Sequence, residues 1–291
     1  MMNLGYACIN MSMGKKVTTN RAMVKRTFQN KGLDYVSELA LLNAKDIIKI
    51  LEWNRMNGIN FFRLSSSIVP WGDHLDLTQL KDYKEIKSEL KKAGDFAKFH
   101  NMRLTSHPGP FVVLTSPTEQ VVLNAIADLE LHGKIFDMMG LSKTPFNKIN
   151  IHCNGVYGDK KSAMDRFCKN FKRLSPSIRQ RLTVENDDKA TMYSVLDLMY
   201  IHEKIGIPIV FDYHHHKFCT GGLTEEEAMK LAASTWPDGI TPVVHYSEAK
   251  EGSKPQAHAD YIKEIPQTYG VDVDIMVEAK AKELSILPFI K

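Results

Sequence analysis

The chain has 291 residues, 43% of them hydrophobic and 25% charged, a make-up that fits a soluble globular protein with a sizeable core. A net charge of +4 permits nucleic-acid binding without requiring it. No apolar run approaches the ~18 residues that span a bilayer, and no signal-peptide pattern opens the chain. Cys8, Cys153, Cys168 and Cys219 form no C-x-x-C pair, which excludes a zinc ribbon and points to a reducing, cytoplasmic setting.

In chain order, short apolar runs predict buried strands at 4–9, 60–64, 103–106, 148–152, 182–185, 208–212, 242–245 and 273–278. Longer stretches with helical spacing lie between them. One runs Val36, Leu39, Ala40, Asn43, Ile47, Ile50 and Leu51; a later one runs Val122, Ala125, Ile126, Leu129 and Phe136. Ser116-Pro117-Thr118-Glu119 predicts a helix start capped by Ser116, and Gly140 and Gly206 predict left-handed C-terminal caps. Thr224-Glu225-Glu226-Glu227 reads as a capping box. Eight strand–helix units, with no linker or low-complexity break, predict a single-domain (β/α)8 TIM barrel over residues 1–291. A doubly wound open sheet competes, but it gives no reason for eight units, and the Gly-rich loop of a dinucleotide site is missing.

Barrel active sites lie at the C-terminal ends of the strands. Those ends read His107, His152, Glu185, Asp212, His245 and Glu278. A single strand-end histidine is more often a hydrogen-bonded surface residue than a ligand; an imidazole or carboxylate at six ends of eight is a pattern. His215, three residues after Asp212, and His258, in the loop after the seventh strand, extend it. Imidazole and carboxylate together suit divalent first-row metals, and Glu185 is a candidate bridge between two cations roughly 3.5–4 Å apart. The set suffices for two or three ions. His100, His132 and His202 fall in helices and read as ordinary; His214 and His216 fit either a site or a polar loop. Such a cluster suits phosphodiester hydrolysis, whose developing negative charge needs cations beside it.

Several segments carry a resemblance. Leu4-Gly5-Tyr6-Ala7-Cys8-Ile9-Asn10, Thr18-Thr19-Asn20-Arg21, Phe62-Arg63-Leu64-Ser65-Ser66 and Pro70-Trp71-Gly72-Asp73-His74 resemble the UV damage endonuclease (UvdE/UvsE) family. So do Ser106-His107-Pro108-Gly109, Val184-Glu185-Asn186-Asp187 and Val277-Glu278-Ala279-Lys280, in order along nearly the whole chain. The resemblance implies an endonuclease IV-like barrel with two or three divalent ions, usually Mn2+. It implies nicking of double-stranded DNA immediately 5′ to pyrimidine dimers and 6-4 photoproducts, leaving a 3′-hydroxyl and a 5′-phosphate. His107, His152, Glu185, Asp212, His215, His245, His258 and Glu278 correspond to the family's metal ligands. Glu185, His74 and Lys280 correspond to catalytic positions, and Tyr6, Asn10, Arg21, Pro110 and Phe111 to DNA or lesion contacts. No obligate protein partner is implied.

Two positions depart from the family pattern. Pro110-Phe111 stands where the family often has a glutamine-tyrosine pair that probes the duplex, so the aromatic wedge remains without the amide and hydroxyl. Val243 stands two residues before His245, where some relatives carry a modified lysine. Basic residues for phosphate contact cluster at Lys15, Lys16, Arg21, Lys25 and Arg26, and again at Lys250 and Lys254. A metal-dependent sugar isomerase or epimerase on a similar barrel shares the strand-end ligands, and the ordered segments and basic N-terminal loop favour DNA over it. An abasic-site endonuclease and a damage-binding protein with a crippled site are the other readings.

Overall fold

Eight four-residue strands alternate with helices in the computed structural model, which describes residues 2–290. The strands are β1 (Leu4–Ala7), β2 (Phe61–Leu64), β3 (Arg103–Ser106), β4 (Ile149–His152), β5 (Leu182–Glu185), β6 (Ile209–Asp212), β7 (Val243–Tyr246) and β8 (Asp274–Val277). They pair in sequence order, all parallel, and β8 closes on β1 with Leu4 opposite Ile275. The predicted (β/α)8 TIM barrel is the fold.

The helices are α1 (Lys25–Met56), α2 (Tyr83–Phe99), α3 (Glu119–Met139), α4 (Lys160–Phe171), α5 (Pro176–Arg179), α6 (Val195–Ile205), α7 (Tyr213–His216), α8 (Glu225–Ala233) and α9 (Glu283–Ile286). α1 breaks at Gly32, whose φ of 64° no L-residue adopts readily. Thr224 and Glu227 form the expected capping box on α8, and Ser194 with Asp197 forms another on α6. Gly140 and Gly206 end α3 and α6 with φ of 68° and 69°.

Two expectations need correction. Ser116 does not cap α3: the N-cap is Thr118, and the Ser116 hydroxyl accepts from Thr118 N at 3.1 Å in the turn before the helix. The seventh crossover carries no helix. Residues 247–273 run irregularly from β7 to β8, with one antiparallel bridge between Ala249 and His258. Gly252, Pro255, Pro266 and Gly270 interrupt any helical period there.

Apolar side chains facing outward from the strands, such as Leu104, Ile151, Val184, Phe211 and Val244, pack against Ile47, Leu51, Leu90, Phe136 and Ile201 of the helices. The inside of the barrel is divided. Ala7, Phe61, Val210, Val243 and Met276, with Trp236, make an apolar cluster contributed by five strands. The side formed by β3 to β5 is polar: Thr183 donates to Asn150 at 2.7 Å, and Asn150 donates to Glu185. Buried Arg103 closes the N-terminal end, bonding Asp274 at 2.9 Å, Thr241 O at 2.8 Å and Phe146 O at 2.9 Å.

Candidate metal centre

Strand register brings the ligand-type residues together. In parallel sheets, residues in register point to the same face. β4 pairs with β5 so that His152 lies beside Glu185, and β6 pairs with β7 so that Asp212 lies beside His245. His107 and Glu278 directly follow β3 and β8. Asp212 also caps α7, accepting from His215 N at 2.8 Å, and this turn swings His215 back over the mouth. His258 arrives from the irregular crossover.

Glu185 is the hub. Its carboxylate lies 3.0 Å from His245 Nδ1, 3.3 Å from His107 Nε2, 3.4 Å from His215 Nδ1 and 3.9 Å from His152 Nε2. Glu278 lies 3.3 Å from His245 Nδ1 and 3.8 Å from His258 Nδ1. Two groups of donors lie close enough to hold an ion, His107 with His152 and Glu185, and Glu185 with Asp212 and His245; Glu185 is common to both. The eight residues expected at strand ends and in the two following loops therefore form one contiguous cluster.

The histidine orientations fit coordination. His107, His215 and His258 direct Nδ1 at the carbonyl oxygens of Pro108 (3.0 Å), Asn186 (2.9 Å) and Glu278 (3.0 Å). A ring that donates from Nδ1 keeps a lone pair on Nε2 for a metal. His152 Nδ1 lies 3.1 Å from the Asp187 carboxylate. His245 is reversed, with Nε2 3.0 Å from Lys148 Nζ and Nδ1 toward Glu185 and Glu278. His245 Nδ1 and Asp212 Oδ2 are buried and make no aligned hydrogen bond. Unsatisfied buried donors and acceptors are costly, and a cation would satisfy both. The nitrogen and oxygen donor set suits Mn2+ or a similar divalent ion.

The charges of the cluster act on one another. Burial works against the charge on His215, yet Asp212 and Glu185 push it up to about 10. Burial likewise opposes His152, and Glu185 and Asp187 raise it to about 9. Burial pushes Asp212 up to about 7 and pulls His245 down to about 4. Glu185 is held well below the carboxylate range, its burial outweighed by His245 and His152.

Lys148, Asp187, Asn186 and Arg63 are not among the expected site residues, yet all four contact the cluster. Asn186 holds the β6 end through Asp212 N (2.8 Å) and Asp212 O (3.1 Å). Arg63 pairs with Glu278. The Val184-Glu185-Asn186-Asp187 run was a usable cue for Asn186 and Asp187.

The other expected site residues are not among the contacts of the cluster, although Pro110 shares a cavity with it. His74, with 52% of its side chain exposed, sits in the loop after β2, 3.3 Å from Asp73. Lys280 is exposed in the loop after β8. Tyr6 and Asn10 are fully buried: Asn10 donates to the Tyr6 hydroxyl at 2.8 Å, which donates to Asn54 at 2.7 Å. Arg21 uses its guanidinium inside the β1–α1 loop, on Asp46 at 2.6 Å and Lys16 O at 3.1 Å. Pro110 lines a cavity of about 280 Å³ with Cys8, Arg63, His107, His152 and Glu278, and Phe111 beside it is 89% exposed. Ser106, His132 and Asp128 form a chain of 2.7 and 3.3 Å contacts, but Ser106 is fully buried, so its hydroxyl is no nucleophile.

A family model described as UV-endonuclease UvdE matches residues 2–291. The chain belongs to the UvdE family. A UV-damage endonuclease of Schizosaccharomyces pombe is 38% identical over 300 residues, covering 97% of this chain and 49% of its own length. A UV DNA damage endonuclease of Clostridium perfringens is 35% identical over 299 residues, covering 98% and 69%. The chain thus spans about half the length of the yeast relative. The crystal structure of SacUVDE matches 100% of this chain and 97% of its own, at 33% identity and a TM-score of 0.89. A D-psicose 3-epimerase from Clostridium cellulolyticum H10 shares the barrel fold at 11% identity and a TM-score of 0.55, over 96% and 85% of the two chains.

Within the UvdE family pattern, both departures have a structural setting. Val243 belongs to the apolar half of the barrel interior, packed with Ala7, Phe61 and Met276. The lysine in contact with His245 comes from across the barrel, from Lys148 at the start of β4. Burial lowers Lys148 to about 7. Pro110-Phe111 forms an exposed tip beside the cavity.

Proposed function

We propose that this UvdE-family chain is a DNA-repair endonuclease, dependent on two or three divalent ions such as Mn2+. It nicks duplex DNA immediately 5′ to UV photoproducts and leaves a 3′-hydroxyl and a 5′-phosphate. The observation that carries this reading is the single cluster of five histidines and three carboxylates around Glu185. A structural ion needs about four donors, so eight at a barrel mouth argue for chemistry.

His107 and His152 would share one ion with Glu185; Asp212 and His245 would share a second with it. His215, His258 and Glu278 complete the set. Divalent ions held there supply positive charge to phosphate oxygens and activate water at neutral pH. The protein's own part is to fix the donors. Backbone carbonyls set the rings of His107, His215 and His258, and Asn150 orients Glu185.

His74 and Lys280, exposed on the rim, are proposed to meet the DNA strand on either side of the cleaved bond. Exposed Lys15, Lys16, Lys25 and Arg26 are proposed to meet backbone phosphates. The Pro110-Phe111 tip would enter the duplex beside the lesion, because a damaged stack is cheaper to open.

The test uses supercoiled plasmid, UV-irradiated and untreated, across Mn2+, Mg2+, Zn2+ and Co2+, followed by end analysis of the nicks. Lesion-dependent nicking is expected with at least one of these metals. Glu185→Gln should remove it while leaving the circular dichroism spectrum unchanged. No lesion-dependent nicking with any metal would overturn the reading.

A further inference from the structure

Arg63 is the residue of the site whose role the metal ligands do not explain. It points inward from β2 and is mostly buried beside groups that bind cations, although a guanidinium cannot itself coordinate one. Its Nη1 pairs with Glu278 Oε1, and Glu278 is the principal attraction that holds its charge against burial. That single ion pair occupies one of its five N–H donors. Nε is buried with no hydrogen-bond acceptor, and no bond to Nη2 is formed among the described residues. Arg63 also lines the cavity formed by Cys8, His107, Pro108, His152 and Glu278.

A largely buried guanidinium that lines a cavity and has donors left over is suited to an oxyanion such as a phosphate. Carboxylates of the site do not meet this demand, since Glu185 is surrounded by histidines and Asp212 lies with His215 and His245. We propose that Arg63 clamps a non-bridging oxygen of the phosphodiester to be cleaved, while its Nη1 edge keeps Glu278 aimed at the metal position. This rests on the nuclease reading above and adds a substrate contact made by a protein cation. The donor is fixed before substrate arrives, so it costs no reorganisation as charge develops.

Arg63→Gln removes the charge and the fork; Arg63→Lys keeps the charge alone. On a duplex with one defined photoproduct and saturating Mn2+, single-turnover cleavage should fall about 100- to 1,000-fold for Arg63→Gln, the loss seen when one fixed oxyanion donor is removed. Arg63→Lys should recover only part of it. A phosphorothioate at the target linkage should slow the wild type for one diastereomer, and that discrimination should shrink in Arg63→Gln. Binding of the same duplex in EDTA, plotted against salt, should have a log–log slope shallower by about 1, one phosphate contact fewer.

If raised Mn2+ restores Arg63→Gln to the wild-type rate, Arg63 only holds Glu278 and the clamp is overturned. An unchanged phosphorothioate effect together with an unchanged salt slope overturns it as well. Both results presuppose a wild type that cuts at lesions. A wild type that cuts no lesion DNA instead sinks the nuclease reading, and the clamp with it.

Discussion

At the scale of single residues, the site is a contest between protons and cations. Neighbouring carboxylates push His152 up to about 9 and His215 up to about 10, so a cation bound there at neutral pH would displace protons. Apparent metal affinity should therefore rise with pH, by about tenfold per unit for each proton released. Titrating Mn2+ between pH 6.5 and 8.5 in buffers of different ionisation heat would show this as proton release; a flat affinity over that range would contradict it. Lys148 makes a second case. It touches His245 at the ring nitrogen remote from Glu185, and outer contacts of this kind typically contribute about 10- to 100-fold in metal affinity. Lys148→Met should weaken Mn2+ binding by that factor with little change in fold. The eight candidate ligands were legible because a chemical type recurs at a structural position, the strand end. Lys148 and Arg63 were not, because the partners they reach are far off in sequence, about a hundred residues away across the barrel for Lys148 and about two hundred, beyond one intervening strand, for Arg63.

At the scale of elements, strands were easier to read than their connections. Buried parallel strands advertise themselves as short apolar runs, and all eight appear where the runs are, with N-terminal ends moved by at most one residue, C-terminal ends by at most two, and β7 reaching one residue past its run. Connections depend on competition between local hydrogen bonds. Ser116 has the composition of a helix cap but closes a turn on Thr118 instead, and the helix starts later than expected. The β7–β8 crossover has length enough for a helix but no apolar period to pack one. The β3–α3 connection carries its own test. Phe111 is almost fully exposed at the tip, so Phe111→Ala should leave the stability of the barrel unchanged within about 0.5 kcal/mol. It should lower the preference for lesion over intact duplex. Equal discrimination by the variant would remove Phe111 from recognition.

At the scale of the whole molecule, two kinds of order share one barrel. Apolar burial between strands and helices holds the outer layers, at about 1.5–3 kcal/mol for each large buried side chain, and does not depend on ions. The polar half of the interior, with the mouth above it, gathers charges that bound cations would help to balance. Chelation should therefore lower the melting temperature without dissolving the secondary structure. An ion at about 100 times its dissociation constant contributes about 2.7 kcal/mol, and its removal takes that much away. Loss of the far-UV circular dichroism signal on adding EDTA at 25 °C would refute this. The crossover that lacks a helix adds a consequence of its own. Seven of the eight candidate ligands stand on strands, directly after them, or in the helical turn after β6; His258 alone hangs from irregular chain, steadied by the Ala249 bridge and the Glu278 carbonyl. Disassembly of the centre thus has a preferred sequence: under graded chelation, the ion leaning on His258 departs first, and amide exchange quickens around residues 249–258 before any strand loosens.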